Sequence, residues 1–505
     1  MNLKILSTSY TGIETYLVEV EIDISNGMPH FTIIGLGDTS IYESRERVKT
    51  ALKNIGFPLK PKKIVINLSP ASIKKEGSHL DLAIGIGLLV GMGFLSDPFN
   101  ILKNFLIMGE LSLNGDIKSV KGIIGAGILA KELNLKGIIV PHDNLLEASA
   151  IPNIKVIPLK NFKDVISLLS DYSDEDIAIN PPPKFIMQKF ETDFADVKGQ
   201  EFAKRALEIA AAGGHNILLI GSPGSGKSML AKRVPTILPF MTIEETIEST
   251  KIYSVMGTLS PDTPLITARP FRSPHHTGTI TSIIGGGRTV KPGEITMAHN
   301  GVLFLDEMSE FSHEILESLR QPMEDNCVSI ARTGFRVTFP CNFMLVAASN
   351  PCFCGNLFEP SGECTCSQSD LNRYQKKISG PILDRIDLYI EIKKLKDYEL
   401  LEEKVSEPSA EIKLRVEKAR KFQNIRFSNK HLNSDMSGKE LKKYCPLSLE
   451  NKDFMKLSIK SFSLSGRSFD KILKLSRTIA DLEGSKTIEK IHLLEAISYR
   501  KKILF

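Results

Sequence analysis

An α/β fold in three successive parts is what the sequence predicts, and three observations carry that reading. Between about residues 191 and 395, short apolar runs ("NILLIG", "GVLFLDE", "FMLVAAS") alternate with helical patterns, as in a doubly wound parallel sheet. Upstream, to about residue 172, strand-like runs ("YLVEVEIDI", "KKIVINLSP", "GIIVP") are interleaved with helical ones ("IYESRERVKTALKNIG", "VKGIIGAGILAKELN"), a mixed α/β or α+β pattern. After about 396 strand signals almost vanish, while "PSAEIKLRVEKARKFQNIRF" and "SFDKILKLSRTIADLEG" keep helical periodicity, so 396–505 reads as a helical lid. Between the first two parts, "SDYSDEDIAINPPPKF" is acidic and then proline-rich. It suits neither a helix nor a central strand and reads as a linker over 173–190.

A chain of 505 residues with 42% hydrophobic and 24% charged residues is long enough for about three domains, each with its own core. Its formal charge of +5 suits a nucleic-acid partner and equally suits many soluble enzymes. The start, "MNLKILSTSYTG", has too short an apolar run for a signal peptide and no small-residue cleavage site. The longest uncharged apolar run, Leu82 to Leu95, is interrupted by glycine and falls short of the roughly 20 residues a membrane span needs. The expectation is a cytoplasmic protein with reduced thiols and no membrane partner.

The chemistry concentrates in the middle part. "HNILLIGSPGSGKSML" is a buried strand, a glycine loop and a helix start, the arrangement that turns backbone N–H groups toward a phosphate. Gly221, Ser222, Pro223, Gly224, Ser225, Gly226, Lys227, Ser228 and Met229 are the candidate ATP-binding residues. Lys227 would reach the β- and γ-oxygens, and Ser228 would hold Mg²⁺. "GVLFLDEMSEF" ends an apolar strand on Asp306, a candidate Mg²⁺ partner through water, and Glu307, a candidate aligner of the attacking water. Alone, such a pair is equally a sheet end facing solvent; beside a glycine loop it becomes a second half. In "MLVAASNP", Asn350 either orients that water or simply forms an Asn-Pro turn.

Arg385, in "GPILDRIDLYIEI", is either salt-bridged between two aspartates or, as in ring ATPases, reaches a neighbouring subunit's nucleotide. Arg467 stands in the first turn of a lid helix, where a cation opposes the helix dipole, so a phosphate partner is expected. "CVSIARTGFRVTFP" reads as two strands around Thr333-Gly334, with Arg332 at the bend and Arg336 behind it. These arginines either pair with DNA phosphates without reading sequence or solvate a surface turn. Arg269, Arg272, His275 and His276 in "RPFRSPHHTG" either touch DNA or serve the structure, the commoner role of a histidine pair in a loop. Finally, "CFCGNLFEPSGECTC" gathers Cys352, Cys354, Cys364 and Cys366, either a structural Zn²⁺ site or unliganded thiols. Cys327, Cys341 and Cys445 read as small buried hydrophobes.

Three longer strings, "FRSPHHTGTITSIIGGG…KPGEITMAHNGVLFLDEMSEF", "ASNPCFCG" and "SGPILDRIDLYIEI", resemble the magnesium-chelatase-like AAA+ ATPases of the YifB/ComM group over nearly the whole chain. That resemblance implies an AAA+ P-loop core with a helix-2 insertion at about Tyr253 to Gly293 and a pre-sensor-1 hairpin at 327–340. It implies sensor 1 for Asn350, the arginine finger for Arg385 and sensor 2 for Arg467, with catalytic roles shared by Lys227 and Glu307. It also implies a homo-oligomer, a hexamer, acting as an ATP-driven helicase on single-stranded or branched DNA in recombination and natural transformation. The hairpin's "SIARTG" is similar to the "SIAKAG"-type hairpin of MCM helicases.

The first part, 1–172, resembles the Lon-protease-like fold (ribosomal protein S5 domain 2-like) through "LSPASIKKEGSHLDLAIGIGLL" and "MGELSLNGDIKSVKGIIGAGILA". His79 falls where the nucleophilic serine would be, one position after Ser78, and Ile124 where the lysine would be, so a non-proteolytic module is implied. Two rivals stay open. One is the motor subunit of a metal chelatase, which is expected to lack such a fused module. The other is a protein unfoldase, whose pore loops carry an aromatic grip where this hairpin has Arg-Thr-Gly.

Overall fold

Alternation in "ETYLVEVEIDIS" buries Val18, Val20 and Ile22 on one side of a strand and leaves Glu19 and Glu21 on the other. That strand belongs to an α/β chain whose computed structural model describes residues 2–172, 190–260, 263–287, 290–332, 335–359, 364–378, 380–395 and 406–500, the side chains of Asn2, Arg332 and Phe335 excepted. All of the expected linker but Phe190, and residues 396–405 at the start of the expected lid, lie outside the described residues. The chain divides into two units, one of residues 1–186, 242–267 and 333–337, the other of 187–241, 268–332 and 338–505.

In the first unit, β1 (Asn2–Thr11), β2 (Glu14–Ser25), β3 (His30–Ile34) and β4 (Lys63–Ser69) form a sheet in the order β1-β2-β4-β3. The pairs are antiparallel except β3–β4, which is parallel. Most of the run Leu82–Leu95 lies in the helix Asp81–Gly91, buried from Asp81 to Val90 in the same core as Ile5, Val18 and Ile66. Asp81, fully buried at its start, receives both Nε and Nη2 of Arg47 at 2.8 and 3.2 Å. A parallel three-stranded sheet follows, of β5 (Phe105–Ile107), β6 (Gly137–Pro141) and β7 (Lys155–Leu159). Helix Ile123–Glu132 shares a core with β6.

Helix Ile243–Met256, which lies in the middle part of the sequence, folds with this first unit. Polar pins fix it there: Ser254 Oγ accepts the Gly122 N–H at 3.1 Å and donates to the Glu147 carboxylate. Lys121 Nζ donates to the Met256 carbonyl at 3.2 Å. Thr242 and Glu245 close its N-terminus as a capping box.

The second unit is built on five parallel strands: β8 (Ile217–Gly221), β9 (Phe271–Arg272), β10 (Val302–Leu305), β13 (Met344–Ser349) and β14 (Leu388–Ile392), in the order β9-β10-β13-β8-β14. Between β10 and β13 the chain forms the paired strands β11 (Cys327–Arg332) and β12 (Phe335–Pro340). Every residue of β8, β10 and β13 is buried, as a sheet covered on both faces requires. One face (Ile217, Leu219, Phe304, Val346) packs with the C-terminal helices Ser409–Phe427, Gly466–Glu483 and Lys490–Ser498. The other (Leu218, Leu303, Leu345) packs with Leu316, Leu319 and Ile382. The parallel sheet and the helical C-terminus are thus as the sequence predicts, and the latter shares its core with the former.

One buried ionic cluster ties the helical part to the sheet. The Asp387 carboxylate takes Lys471 Nζ at 2.8 Å, the Asn216 N–H at 3.0 Å and lies 3.6 Å from His215 Nδ1. Burial alone would push this carboxyl up, but Lys471 and His215 outweigh it and hold it well below the usual carboxylate range. Its contribution to stability is therefore complete above an ordinary aspartate pKa of about 3.9 and is lost as pH falls below it. Asp387→Ala is expected to cost about 3–5 kcal/mol, because it strands a buried lysine. In urea unfolding at neutral pH the variant midpoint should fall, and the gap to the parent chain should close in acid.

Candidate nucleotide site

Parallel pairing brings the candidate residues to one edge of the sheet. In β8–β13, Ile220 faces Ser349, and in β10–β13, Leu305 faces Ala347, so Gly221, Asp306 and Asn350 all leave the carboxyl ends of neighbouring strands. Ligands bind α/β sheets at such an edge. The loop after β8 turns on Gly224 (φ 77°) and Gly226 (φ 94°), positions that favour glycine. A Cβ on either would meet nothing within 4 Å, so the loop's outer side is open to a ligand. Ser225 Oγ is buried there with no hydrogen-bond partner among the described residues.

Helix Lys227–Ile237 starts directly after the loop, which adds the positive end of its dipole. Lys227 Nζ donates to the carbonyls of Gly221 (2.6 Å) and Ser222 (3.0 Å) and to Asn350 Oδ1 (3.2 Å). Burial lowers the pKa of this ammonium, and the Asp306 and Glu307 charges pull it back. Ser228 Oγ donates to Asp306 Oδ2 at 2.7 Å. Two hard oxygens meeting beside a glycine loop fit a magnesium-bound polyphosphate. Asn350 is held from behind, its backbone carbonyl accepting the Tyr374 hydroxyl at 2.9 Å.

Glu307 takes a left-handed backbone (φ 50°), unusual for a residue with a side chain and a form of strain that clusters at functional sites. Its half-exposed carboxylate lies 3.6 Å from His276 Nδ1. That histidine packs on His275 at 4.3 Å and edge-on to Phe311 at 6.3 Å. Two direct bonds, Lys227–Asn350 and Ser228–Asp306, thus tie the candidates in pairs, with Glu307 next along the chain.

The other candidates stand apart from that group. Arg385 donates to the Glu324 carboxylate and to the carbonyls of Arg320 and Pro381, and none of these belongs to the glycine loop. Arg467, mostly exposed, lies 3.8 Å from Asp384, the residue before Arg385. Arg272 makes a two-pronged pair with Glu294 at 2.6 and 2.7 Å, and Arg269 donates to the carbonyls of Pro239 and Asn300, so the insertion arginines serve internal contacts. Arg336 is exposed on β12, whereas the Arg332 side chain and the turn Thr333-Gly334 lie outside the described residues. The sulfurs of Cys352, Cys354, Cys364 and Cys366 all lie within 4.8 Å of one another, compatible with a shared metal ion. Cys341 and Cys445 are buried, as expected, and Cys327 is partly so.

In the first unit the Ser78 hydroxyl is bonded to the Glu110 carboxylate. His79 is buried with Nε2 2.7 Å from the Thr8 carbonyl, and burial lowers its pKa. Ile124 is buried in the first turn of helix Ile123–Glu132. Tyr374, Glu324 and Glu359 are contributors that sequence reasoning missed. Glu359 pairs with Lys394 at 3.4 Å, and the Ser222 side chain of the glycine loop lowers the pKa of its carboxyl. None belongs to a motif, and each meets the site only through folding. Among the described residues no helix is long and apolar enough to cross a membrane.

Comparison with known proteins agrees along the whole chain. The family described as magnesium chelatase, subunit ChlI, matches residues 193–400, its C-terminal counterpart matches 406–500, and subunit ChlI of Mg-chelatase matches 20–144. Competence protein ComM of Haemophilus influenzae is 38% identical over 513 residues, covering 100% of this chain and 98% of that one. YifB of Escherichia coli is 40% identical over 503 residues, covering 99% and 97%. More distantly, the DNA replication licensing factor Mcm2 of Drosophila melanogaster is 24% identical over 249 residues, 46% of this chain and 25% of that one.

The Tyr374 hydroxyl serves Ser309 (2.8 Å), Ser349 (3.3 Å) and the Asn350 carbonyl at once. Tyr374→Phe is expected to lower unfolding free energy by about 1 kcal/mol, read by chemical denaturation, with secondary structure unchanged by circular dichroism.

Proposed function

The chain belongs to the magnesium-chelatase-like YifB/ComM family of AAA+ ATPases, and from that premise we propose a ring-forming, Mg²⁺-dependent DNA motor, a hexameric helicase promoting branch migration in recombination and natural transformation. One observation carries the reading: Lys227 bonds Asn350 and Ser228 bonds Asp306 at the carboxyl edge of a parallel sheet. In this reading the N–H groups of the glycine loop and Lys227 hold the β- and γ-phosphates. Ser228 and Asp306 hold Mg²⁺, which when bound neutralises phosphate charge. Glu307 accepts a proton from the attacking water and aligns it, and Asn350 orients it against the γ-phosphate.

Arg385 acts on the nucleotide of the adjacent copy in the ring. Arg467 pairs with Asp384, the residue before Arg385, which supports presentation of both arginines to the same neighbour. The grip on DNA is the β11–β12 hairpin, with Arg332 and Arg336 on backbone phosphates. Its support is the exposed Arg336 and the likeness to Mcm2. Segment 1–172 is taken as a Lon-like module without protease chemistry, supported by the engaged Ser78, the buried His79 and Ile124. Segment 191–395 is taken as the AAA+ core, with its excursion through 242–267, and 396–505 as the lid.

A second reading, the motor subunit of a metal chelatase, is favoured by the names of the matching families. Because 20–144 also matches a family named for a chelatase subunit, the N-terminal segment does not by itself separate the two. ComM, matched over 98% of its length and named a competence protein, supports the role in natural transformation.

Lys227→Ala and Glu307→Gln are expected to lower ATP turnover by about 100-fold or more with the fold intact. Normal hydrolysis by Glu307→Gln would remove that residue from the water-aligning role. Arg332→Ala should keep basal hydrolysis and lose its stimulation by branched DNA. The deciding experiment is nucleotide-dependent junction migration measured beside the mass of the assembly, with and without DNA. Stimulation by porphyrin and a partner subunit, in place of DNA, would establish the second reading.

A further inference from the structure

The four cysteines after Asn350 lie in two Cys-x-Cys knuckles, Cys352/Cys354 and Cys364/Cys366. Their sulfurs are 3.3 Å (Cys352–Cys354), 3.5 Å (Cys354–Cys364) and 3.8 Å (Cys352–Cys364) apart. All four fall within 4.8 Å of one another. None is in a disulfide. Four Zn–S bonds of about 2.3 Å at the tetrahedral angle place sulfurs about 3.8 Å apart, so the cage has the size of a zinc tetrathiolate. The Gly355 N–H donates to the Cys352 carbonyl at 3.1 Å and closes the turn beside the first pair.

The cage also adjoins the nucleotide site. A Cβ on Gly355 (φ 81°), the residue after the first knuckle, would lie 2.5 Å from Cδ of Pro223, so the backbone beside the knuckle rests directly on the glycine loop. At its two ends the cage adjoins functional elements: Cys352 is two residues beyond Asn350, and Cys366 immediately precedes Ser367, the N-cap of the helix Gln368–Gln375 that carries Tyr374. Phe353 packs edge-on against Tyr374 at 4.9 Å.

We propose that Cys352, Cys354, Cys364 and Cys366 bind one structural Zn²⁺, and that this knot braces the phosphate loop through Pro223 while anchoring Asn350. All four ligand positions are protein sulfurs, so the ion has no open position for chemistry and acts as a fastener. Short polar and glycine-rich segments hold such a shape poorly without a cross-link, and metal binding supplies the missing folding energy. The bracing half of the proposal rests on the nucleotide reading above; the metal half stands on the cage alone.

The test uses the full-length chain purified with a thiol reductant. Elemental analysis should find one zinc per chain, and cobalt exchange should give the thiolate-to-cobalt charge-transfer and tetrahedral d–d bands. Cys366→Ser should lose the metal, and Cys445→Ser, whose thiol lies elsewhere in a buried core, should keep it. Chelator-stripped parent chain, checked for retained secondary structure by circular dichroism, should bind a fluorescent ATP analogue about tenfold more weakly and recover on adding zinc. A metal-free parent chain, bound iron instead of zinc, disulfides among the four cysteines, or full zinc in Cys366→Ser would overturn the site. Unchanged nucleotide affinity in the stripped chain would overturn the brace. A zinc-loaded chain that binds no nucleotide would instead sink the ATPase reading and leave the metal site standing.

Discussion

The parallel register of β8 against β13 is the constraint on which the site depends. Because Ile220 lies opposite Ser349, the glycine loop and Asn350 emerge side by side, close enough for Lys227 Nζ to reach both Gly221 O and Asn350 Oδ1. A register slip of one residue would turn every side chain of β13 to the opposite face and carry Asn350 away from the lysine. Burial on both faces makes such a slip costly, since Val346 and Ala348 belong to one core and Leu345 and Ala347 to the other. The two cores of the second unit are in this sense the precision mount of its chemistry.

Charge at this edge is balanced with few groups. Lys227 loses part of its hydration on burial, and three oxygens compensate, two of them backbone carbonyls that carry no net charge. Such an ammonium is well placed to exchange neutral acceptors for a phosphate, because a charged acceptor is the stronger partner in a partly buried setting. Ser228 and Asp306 satisfy one another in the same way. Away from the edge, Asp387 does for the architecture what Lys227 does for the site, binding a strand end, a helix and a histidine through one buried charge.

The cysteine cage links these levels. It lies between β13 and the helix that carries Tyr374, and it rests on Pro223 of the glycine loop. A cross-link there would act on the geometry of Lys227 and Asn350 together, without contributing a group to the reaction. In the first unit the comparable polar positions are already satisfied internally, with Ser78 on Glu110 and His79 on the Thr8 carbonyl.

Much of this was legible in the sequence, for a physical reason. Short apolar strands closed by turns, a glycine loop and an acidic pair encode local geometry, so β8, β10 and β13 and their terminal residues could be named before any coordinates. Four cysteines in one stretch announced a cluster in the same way. Tertiary structure alone decided which distant groups meet. It paired Arg385 with Glu324, placed Arg467 beside Asp384, turned Arg272 inward to Glu294 and His276 toward Glu307, and set Tyr374 behind Asn350. It also set helix Ile243–Met256 in the first unit, outside the continuous stretch 191–395, through hydrogen bonds to Gly122 and Glu147 more than a hundred residues away. Spacing along a chain carries the periodicity of helices and strands, whereas contacts across a fold depend on how whole faces pack, and no local pattern contains that information.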